Sequence, residues 1–377
     1  MQRKFDILDG LRGILAVLVV AYHILQIFYQ SIARLPLHHA YLAVDFFFLL
    51  SGFVIGYAYD HRWQVMSKKT FLKARFIRLH PLAIAGLAMG LLNFVLYNNG
   101  SNLAGISPWI ILMMVTLHSF LLPYTGMRDS GDQTHAFNGP SWSLFQEYLV
   151  NIVYAFIGHK LSQKMLGVLI AVSAILLSFG AYRTNTLHVG WDWTNFWMGP
   201  VRVFFSFFAG LFIFRSGFKL SIPFAFPVLS LVLLILVMLP VYEWNGLYDA
   251  FCVVILFPVI LAIGAGSQPS GNFASLTRLS GEISYPLYML HAPILSLFAL
   301  WVHNGPHSSL VLKIGTIAVL GICILFAWLM LHYFDKPVRA WLSGNAGFRQ
   351  IRPSMYRQFF ARFQAYKAPN APAPRPN

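Results

Sequence analysis

The chain has 377 residues, 58% of them hydrophobic and only 10% charged, and its mean hydropathy is +0.63. Soluble domains average about 45–50% apolar and about 25% charged residues, so this composition excludes an ordinary soluble protein, a disordered chain and a secreted disulfide-rich domain. The 27 Lys and Arg residues outnumber the 12 Asp and Glu residues and give a net charge of +15, which in so apolar a chain indicates orientation in a membrane rather than nucleic-acid binding.

Apolar segments of membrane-spanning length follow one another along the chain. A membrane helix needs about 20 mostly apolar residues, and there are eleven candidate segments: residues 11–30, 41–59, 80–97, 107–124, 142–158, 165–182, 198–214, 222–241, 248–266, 284–302 and 309–334. The first is interpreted as a retained helix, because Asp6 and Asp9 precede it and no clear cleavage site follows. The sequence therefore predicts an all-α, polytopic membrane helix bundle over residues 1–335. A basic tail over residues 336–377 is predicted to hold a short amphipathic helix at 355–367 and a disordered end.

The distribution of basic residues predicts the orientation of the chain. Lys and Arg cluster before the first segment, after the second and in the tail, and cytoplasmic segments carry such an excess, so both ends are predicted to be cytoplasmic. Two ends on one side need an even number of crossings, which leaves about ten transmembrane helices. The charges of the loops, followed inward from both ends, indicate that segment 107–124 is the one that does not cross the membrane. It is predicted to be re-entrant, half-inserted or interfacial. The alternative is one short loop that departs from the charge rule, which would place residues 103 and 130 on opposite faces.

Ionisable residues inside apolar segments are costly and indicate function. Arg12 and His23 lie eleven residues apart on the first helix, which is about three turns, so their side chains share a face. Asp45 and Glu147 lie near the outer ends of their helices, at a depth where either carboxylate can orient the imidazole of His23, as in hydrolytic triads. The sequence leaves open which of the two carboxylates does so. Glu147 could instead form a buried ion pair, for example with Arg202, and Asp45 could instead cap its helix.

Two arginines mark the cytoplasmic boundary of the third segment. Arg75 and Arg78 are three residues apart, so both guanidinium groups lie on one helical face. Arginine suits bidentate binding of phosphate. Basic residues at this boundary also set orientation and meet lipid phosphates, so the spacing alone leaves both interpretations open.

Five motifs in order together resemble the acyltransferase 3 family of bacterial inner-membrane acyltransferases. They are Leu8-Asp9-Gly10-Leu11-Arg12-Gly13 with His23, Asp45-Phe46-Phe47-Phe48 with Leu50-Ser51-Gly52-Phe53, Arg75 and Arg78 before Pro81, Pro140-Ser141-Trp142-Ser143 with Glu147, and Ile283 to Pro293 with His291. The resemblance covers nearly the full chain, from residue 8 to about 338. One departure is Asp335, which stands where the family pattern has Glu and keeps the charge. The chain is expected to be the stand-alone form, without a fused esterase-like domain.

The resemblance implies transfer of an acyl group, usually acetyl, from cytoplasmic acyl-coenzyme A to a hydroxyl of an extracytoplasmic carbohydrate such as O-antigen or exopolysaccharide. Acetyl-coenzyme A is then the expected donor, bound by Arg12, Arg75 and Arg78. No metal is expected, and the two cysteines show no metal-site spacing. The expected location is the bacterial inner membrane.

The same resemblance implies roles around His23. This residue is expected to be the general base on the acceptor hydroxyl, oriented by Glu147 or Asp45. The expected substrate contacts, which include the donor to the oxyanion, are Trp142, Ser143, Tyr148, Arg202 and His291. A covalent acyl-His23 or acyl-Ser intermediate is a second route that the sequence leaves open.

Three alternatives remain at this point. A sugar or proton-coupled transporter also places ionisable residues in the membrane, although the chain shows no internal repeat. A sensor or scaffold that has lost catalysis would keep the fold, although the presence of Arg12, His23 and Glu147 argues against decay. Within the family, the acceptor can be a lipid, an antibiotic or a glucan, and the acyl group can be longer or charged.

Overall fold

The structure, a computed structural model, describes residues 5–29, 31–97, 107–125, 132–268 and 273–347. The predicted helix at 355–367, the tail end and residues 103 and 130 lie outside them. Within the described residues, helices dominate, and pairing of extended chain is confined to two isolated bridges. The helices are α1 (Asp6–Phe28), α2 (Ala43–Tyr59), α3 (Lys68–Tyr97), α4 (Pro108–Ser119), α5 (Ser141–Phe156), α6 (Gln163–Thr184), α7 (Met198–Ser216), α8 (Ala225–Met238), α9 (Asn245–Phe251), α10 (Phe257–Gly266), α11 (Ala274–His303), α12 (Ser309–Met330) and α13 (Lys336–Gly347). The predicted all-α bundle is confirmed.

Every predicted apolar segment corresponds to a helix. Among the described residues, eight helical spans are long and apolar enough to cross a membrane, where α9 with α10 counts as one span and α12 with α13 as another. Helices α4 and α8 are shorter apolar helices. Helix α4 has 12 residues and rises about 18 Å, well short of a hydrocarbon layer of about 30 Å. Helix α8, which the sequence predicts to cross, is also short at 14 residues, so the crossing status of 107–124 stays a prediction.

The last helix extends past the predicted end of the bundle at 335. A π-helical turn, Leu331–Asp335, joins α12 to α13, and Pro337 occupies the first turn of α13. Pro337 has no N–H to donate to a carbonyl of the preceding turn, and that preceding turn is the π-helical one, where the regular hydrogen-bond ladder is already interrupted. The sequence of α13 contains no long apolar run, so hydropathy does not predict this helix.

Close backbone contact between α2 and α7 fixes the centre of the bundle. A methyl group on Gly52 would lie 1.8 Å from the Phe207 carbonyl oxygen, and one on Gly210 would lie 1.9 Å from that of Leu49. Small residues permit this approach, which allows dispersion contacts along both helices. The contact sets which side chains of α2 and α7 meet at the depth of the site.

Helix α11 carries two internal prolines and runs beside both α1 and α3. Pro293 lacks the N–H that would bond the carbonyl of Met289, and the side chain of Asn138 donates to that carbonyl at 3.1 Å instead.

At one end of the bundle, Arg215 pairs with Asp60; we call this the basic end. The opposite end, the loop end, is covered by residues 132–140 and 185–197, which we call the roof loops.

Candidate active site

A cavity of about 790 Å³ opens at the loop end, a size typical of small-molecule sites. Helices α1, α3, α7 and α11 and the roof loops supply its walls. The roof loops are bonded to each other by the backbone N–H of Thr134, which donates to the Trp191 carbonyl at 3.1 Å. Of the predicted catalytic and substrate-binding residues, those that line the cavity are His23, Trp142 and Arg202.

His23 has a defined orientation in the cavity wall. Its Nδ1 lies 2.7 Å from Oε1 of Gln26, one turn further along α1. An amide oxygen only accepts hydrogen bonds, so Nδ1 carries a proton, and in the neutral ring Nε2 then keeps its lone pair. Neutral imidazole in this tautomer is the form that a general base needs.

Gln26 is a site residue that the sequence reasoning missed. It lines the cavity and holds the imidazole, a role that the prediction gave to a carboxylate. The spacing of three residues from His23 on one helix was the signal that would have found it.

His291 packs against His23 rather than lining the cavity. The two rings are stacked with centroids 5.2 Å apart, and His291 is buried. Its Nδ1 donates to the backbone carbonyls of Leu287 and Tyr288. The predicted substrate contact is therefore replaced by a role in holding the neighbouring ring.

Asp45 forms a fully buried ion pair with Arg202. The carboxylate accepts two hydrogen bonds from the guanidinium, at 2.6 and 3.1 Å, and both side chains are at most 1% exposed. A further N–H of Arg202 donates to the Val189 carbonyl at 2.7 Å, and the guanidinium lies over the Trp142 ring. This bidentate geometry joins α2 to α7 and connects both to a roof loop.

Glu147 pairs with an arginine on α3. Arg75 Nη2 donates to Glu147 Oε1 at 2.6 Å, and Ser51 Oγ donates to the same oxygen at 2.9 Å. The ion pair that Glu147 forms is thus partly buried, and its partner is Arg75 rather than Arg202. The prediction that Glu147 or Asp45 orients His23 is wrong for this structure, because arginines hold both carboxylates. Depth in the membrane can be estimated from a sequence, whereas the rotation that selects a partner depends on packing.

Ser143 and Tyr148 lie beside the cavity wall. Ser143 Oγ donates to the Pro140 carbonyl at 2.9 Å, so the Tyr288 hydroxyl, 2.8 Å away, donates to Ser143. Tyr288 lines the cavity, and Ser143 supports it. The Tyr148 hydroxyl is buried without a hydrogen-bond partner among the described residues.

A second cavity, of about 370 Å³, lies at the basic end between α3 and α13. Arg78 lines it. Arg12 instead donates to the Gly281 carbonyl at 2.7 Å and to Ser284 Oγ at 2.8 Å. Of the three arginines predicted to bind the donor, the structure therefore brings Arg78 to the cavity and bonds Arg12 and Arg75 to other parts of the bundle.

The comparisons with known proteins identify the family of the chain. The acyltransferase 3 family profile, described as an acyltransferase domain, matches residues 5–328. The chain belongs to this family. It is therefore a multi-pass membrane acyltransferase, and the predicted enzyme class is confirmed.

Two curated relatives of this acyltransferase cover different shares of it. It is 36% identical over 193 residues to "Protein 2 in picA locus" of Rhizobium radiobacter, a match that spans 47% of this chain and 95% of that protein. It is 32% identical over 156 residues to "Acyltransferase MdmB" of Streptomyces mycarofaciens, which spans 39% of this chain and 37% of that protein. No solved structure matches the chain.

Acid should weaken the roof of this acyltransferase through His135. Burial lowers the pKa of His135 to about 3, although the hydrogen bond to the Leu121 carbonyl raises it. The unfolded chain has a pKa of about 6.5 at this position, so the contribution to stability is complete above that pH and falls below it, by up to about 1.4 kcal/mol per pH unit. We expect the melting temperature to fall between pH 6.5 and 5, and less steeply in His135→Gln. Equal slopes in both proteins would contradict this account.

Proposed function

We propose that this acyltransferase moves an acetyl group from acetyl-coenzyme A, bound at the basic end, to a hydroxyl of a carbohydrate bound in the cavity at the loop end. The basic end faces the cytoplasm and the protein lies in a bacterial inner membrane. The observation that carries the proposal is His23, whose imidazole lines the cavity with Nδ1 bonded to Gln26, which leaves Nε2 for a general base. Surface polysaccharides such as O-antigen or exopolysaccharide are the acceptor class.

The transfer is a direct displacement. Nε2 of His23 takes the proton of the acceptor hydroxyl while its oxygen attacks the thioester carbonyl. The bond between the carbonyl carbon and the sulfur then breaks. His23 gives the proton that it took from the hydroxyl to the leaving thiolate. Arg202 is the predicted oxyanion stabiliser that lines the cavity, where its positive charge favours the tetrahedral intermediate.

The ion pair of Arg75 and Glu147 marks the route of the acyl group. Arg75 lies on α3 next to Ala74 of the basic-end cavity, and Glu147 lies five residues, about 7.5 Å, along α5 from Trp142 of the loop-end cavity. Arg75 Nε and the Tyr148 hydroxyl are buried here without a hydrogen-bond partner among the described residues. The amide groups of a pantetheine arm would supply those partners.

The lining of the loop-end cavity supports a carbohydrate acceptor. Trp142, Trp191 and Tyr288 present aromatic surface, and Gln133 and Asn93 present amide groups. Aromatic faces pack on the apolar faces of sugar rings, and amides bind hydroxyl groups. The mixture of both is what a sugar-binding site requires.

The test uses purified full-length protein with acetyl-coenzyme A and a surface polysaccharide from the source cells. We expect release of free thiol that depends on the polysaccharide, together with an added acetyl mass on the glycan. Acetylation confined to a lipid or a small aglycone would overturn the carbohydrate acceptor. Transport of sugar without any acyl product would overturn the proposed function as a whole.

A further inference from the structure

We propose that α13 completes a phosphate-binding pocket for the donor, in which Lys336 and Arg339 act together with Arg78. The identity of the ligand rests on the proposed function, whereas the pocket rests on the structure. From the sequence, Lys336 and Arg339 are expected only to set orientation, as part of the basic tail. In the structure both line the 370 Å³ cavity at the basic end.

Arg78 is the group in this pocket whose charge is left unpaired. Its side chain is exposed to the cavity, and within the described ranges it has neither a hydrogen bond nor an ion pair. The nearby charges of Arg12, Arg75 and Arg339 repel it, and Glu147 is the acidic group that acts on it most. A bound anion of the right size would offset this repulsion between positive charges.

Helix α13 adds two further cations on one of its faces. Lys336, Arg339 and Ser343 are spaced by three and four residues, so they face α3 together across the pocket. Lys336 pairs with Glu282 at 2.9 Å, and both side chains are more than 40% exposed. Such an exposed pair contributes little, so a phosphate can take its place at small cost.

Arg339 is better held than Lys336. It pairs with Asp335 at 2.7 Å, a carboxylate that is only 2% exposed and that the π-helical turn directs inward. This contact uses one side of the guanidinium and fixes its position at the wall. A planar guanidinium held in this way binds a phosphate with its remaining N–H groups.

The three cations of the pocket have two carboxylates, Glu282 and Asp335, as partners, so one positive charge is in excess. The volume of the pocket is too small for a whole coenzyme A. We infer that it holds the phosphorylated end of the molecule, while the thin pantetheine arm leads past Arg75 toward His23. Anionic lipid head groups carry the same phosphate chemistry at a membrane boundary. The experiment must therefore separate a nucleotide from a lipid.

The test measures binding of acetyl-coenzyme A and of adenosine 3′,5′-bisphosphate to full-length protein in nanodiscs of phosphatidylcholine. We expect Arg78→Gln, Lys336→Gln and Arg339→Gln each to weaken binding of both probes about tenfold, because each removes a charge-assisted contact. Arg339→Lys should retain part of the affinity. The matched control is Lys73→Gln, on an exposed position of α3 outside the pocket, which should bind like the wild type.

The outcomes separate the pocket from the proposed function. Wild-type protein that turns over acetyl-coenzyme A, with unchanged affinity in all three variants, would overturn the pocket and leave the function standing. Bisphosphate binding that the variants lose, in a protein without acyl transfer, would support the pocket and overturn the function. If phosphatidylglycerol raises the melting temperature of the wild type alone and the bisphosphate does not bind, the pocket is a lipid site. The melting temperature of each variant shows whether it is folded. If one variant is not folded, the binding measurements on the other two decide whether the pocket exists.

Discussion

The His23→Ala variant is expected to lose about 10²- to 10⁴-fold in acyl-transfer rate, the usual contribution of a positioned general base. The reason is geometric, because the imidazole lines the cavity with Nδ1 bonded to Gln26 and Nε2 available to the acceptor. The measurement is the initial rate of thiol release at saturating acetyl-coenzyme A and acceptor. Protein amount and melting temperature are recorded beside it.

The control for this prediction is Gln26→Ala, which keeps the imidazole and removes the group that fixes its tautomer. It should lower the rate less than His23→Ala, without changing the affinity for the donor. A His23→Ala rate equal to that of the wild type, at normal protein level, would exclude His23 as the base. Equal losses in both variants would show that the tautomer is as important as the imidazole itself.

The Asp45→Ala variant is expected to lose about 3–5 kcal/mol of stability, because it leaves the guanidinium of Arg202 buried without its carboxylate. Breaking one partner of a buried pair costs more than the pair contributes, since the remaining charge stays out of water. The measurement is unfolding of the purified protein in detergent against denaturant. Arg202→Met should be similarly unstable, because Asp45 is then the unpaired charge.

A double variant separates structure from catalysis at this pair. Asp45→Leu combined with Arg202→Met should recover much of the lost stability, because no unpaired charge remains. Its activity should stay low if Arg202 stabilises the oxyanion. An Asp45→Ala protein of normal stability that has lost turnover would restore the catalytic role that the sequence predicted for Asp45.

Linear features of the chain could be predicted well from the sequence. The apolar segments, the shared face of Arg12 and His23, and the family motifs all depend on order and spacing along one helix, which the sequence states directly. The partners of Asp45 and Glu147 depend on contacts between helices. Arg202 is 157 positions from Asp45, and the two meet because glycines bring α2 and α7 together.

Gln26 and α13 were missed for a different reason. A glutamine near a helix end carries no charge, so a search for costly ionisable groups passes over it. The basic residues of α13 were attributed to orientation because membrane boundaries are generally basic. Their place in a pocket with Arg78 becomes visible only when the helix is followed past the π-helical turn.

The bond between Asn138 and the Met289 carbonyl links a roof loop to the helix that supports His23. Asn138 belongs to a roof loop, and Met289 lies on α11 two residues before His291, whose ring is stacked on His23. Proteins open locally in contiguous cooperative units, and a hydrogen bond between two elements couples their local stability. Loosening of the roof loop is therefore expected to loosen the packing of His291 against His23 as well.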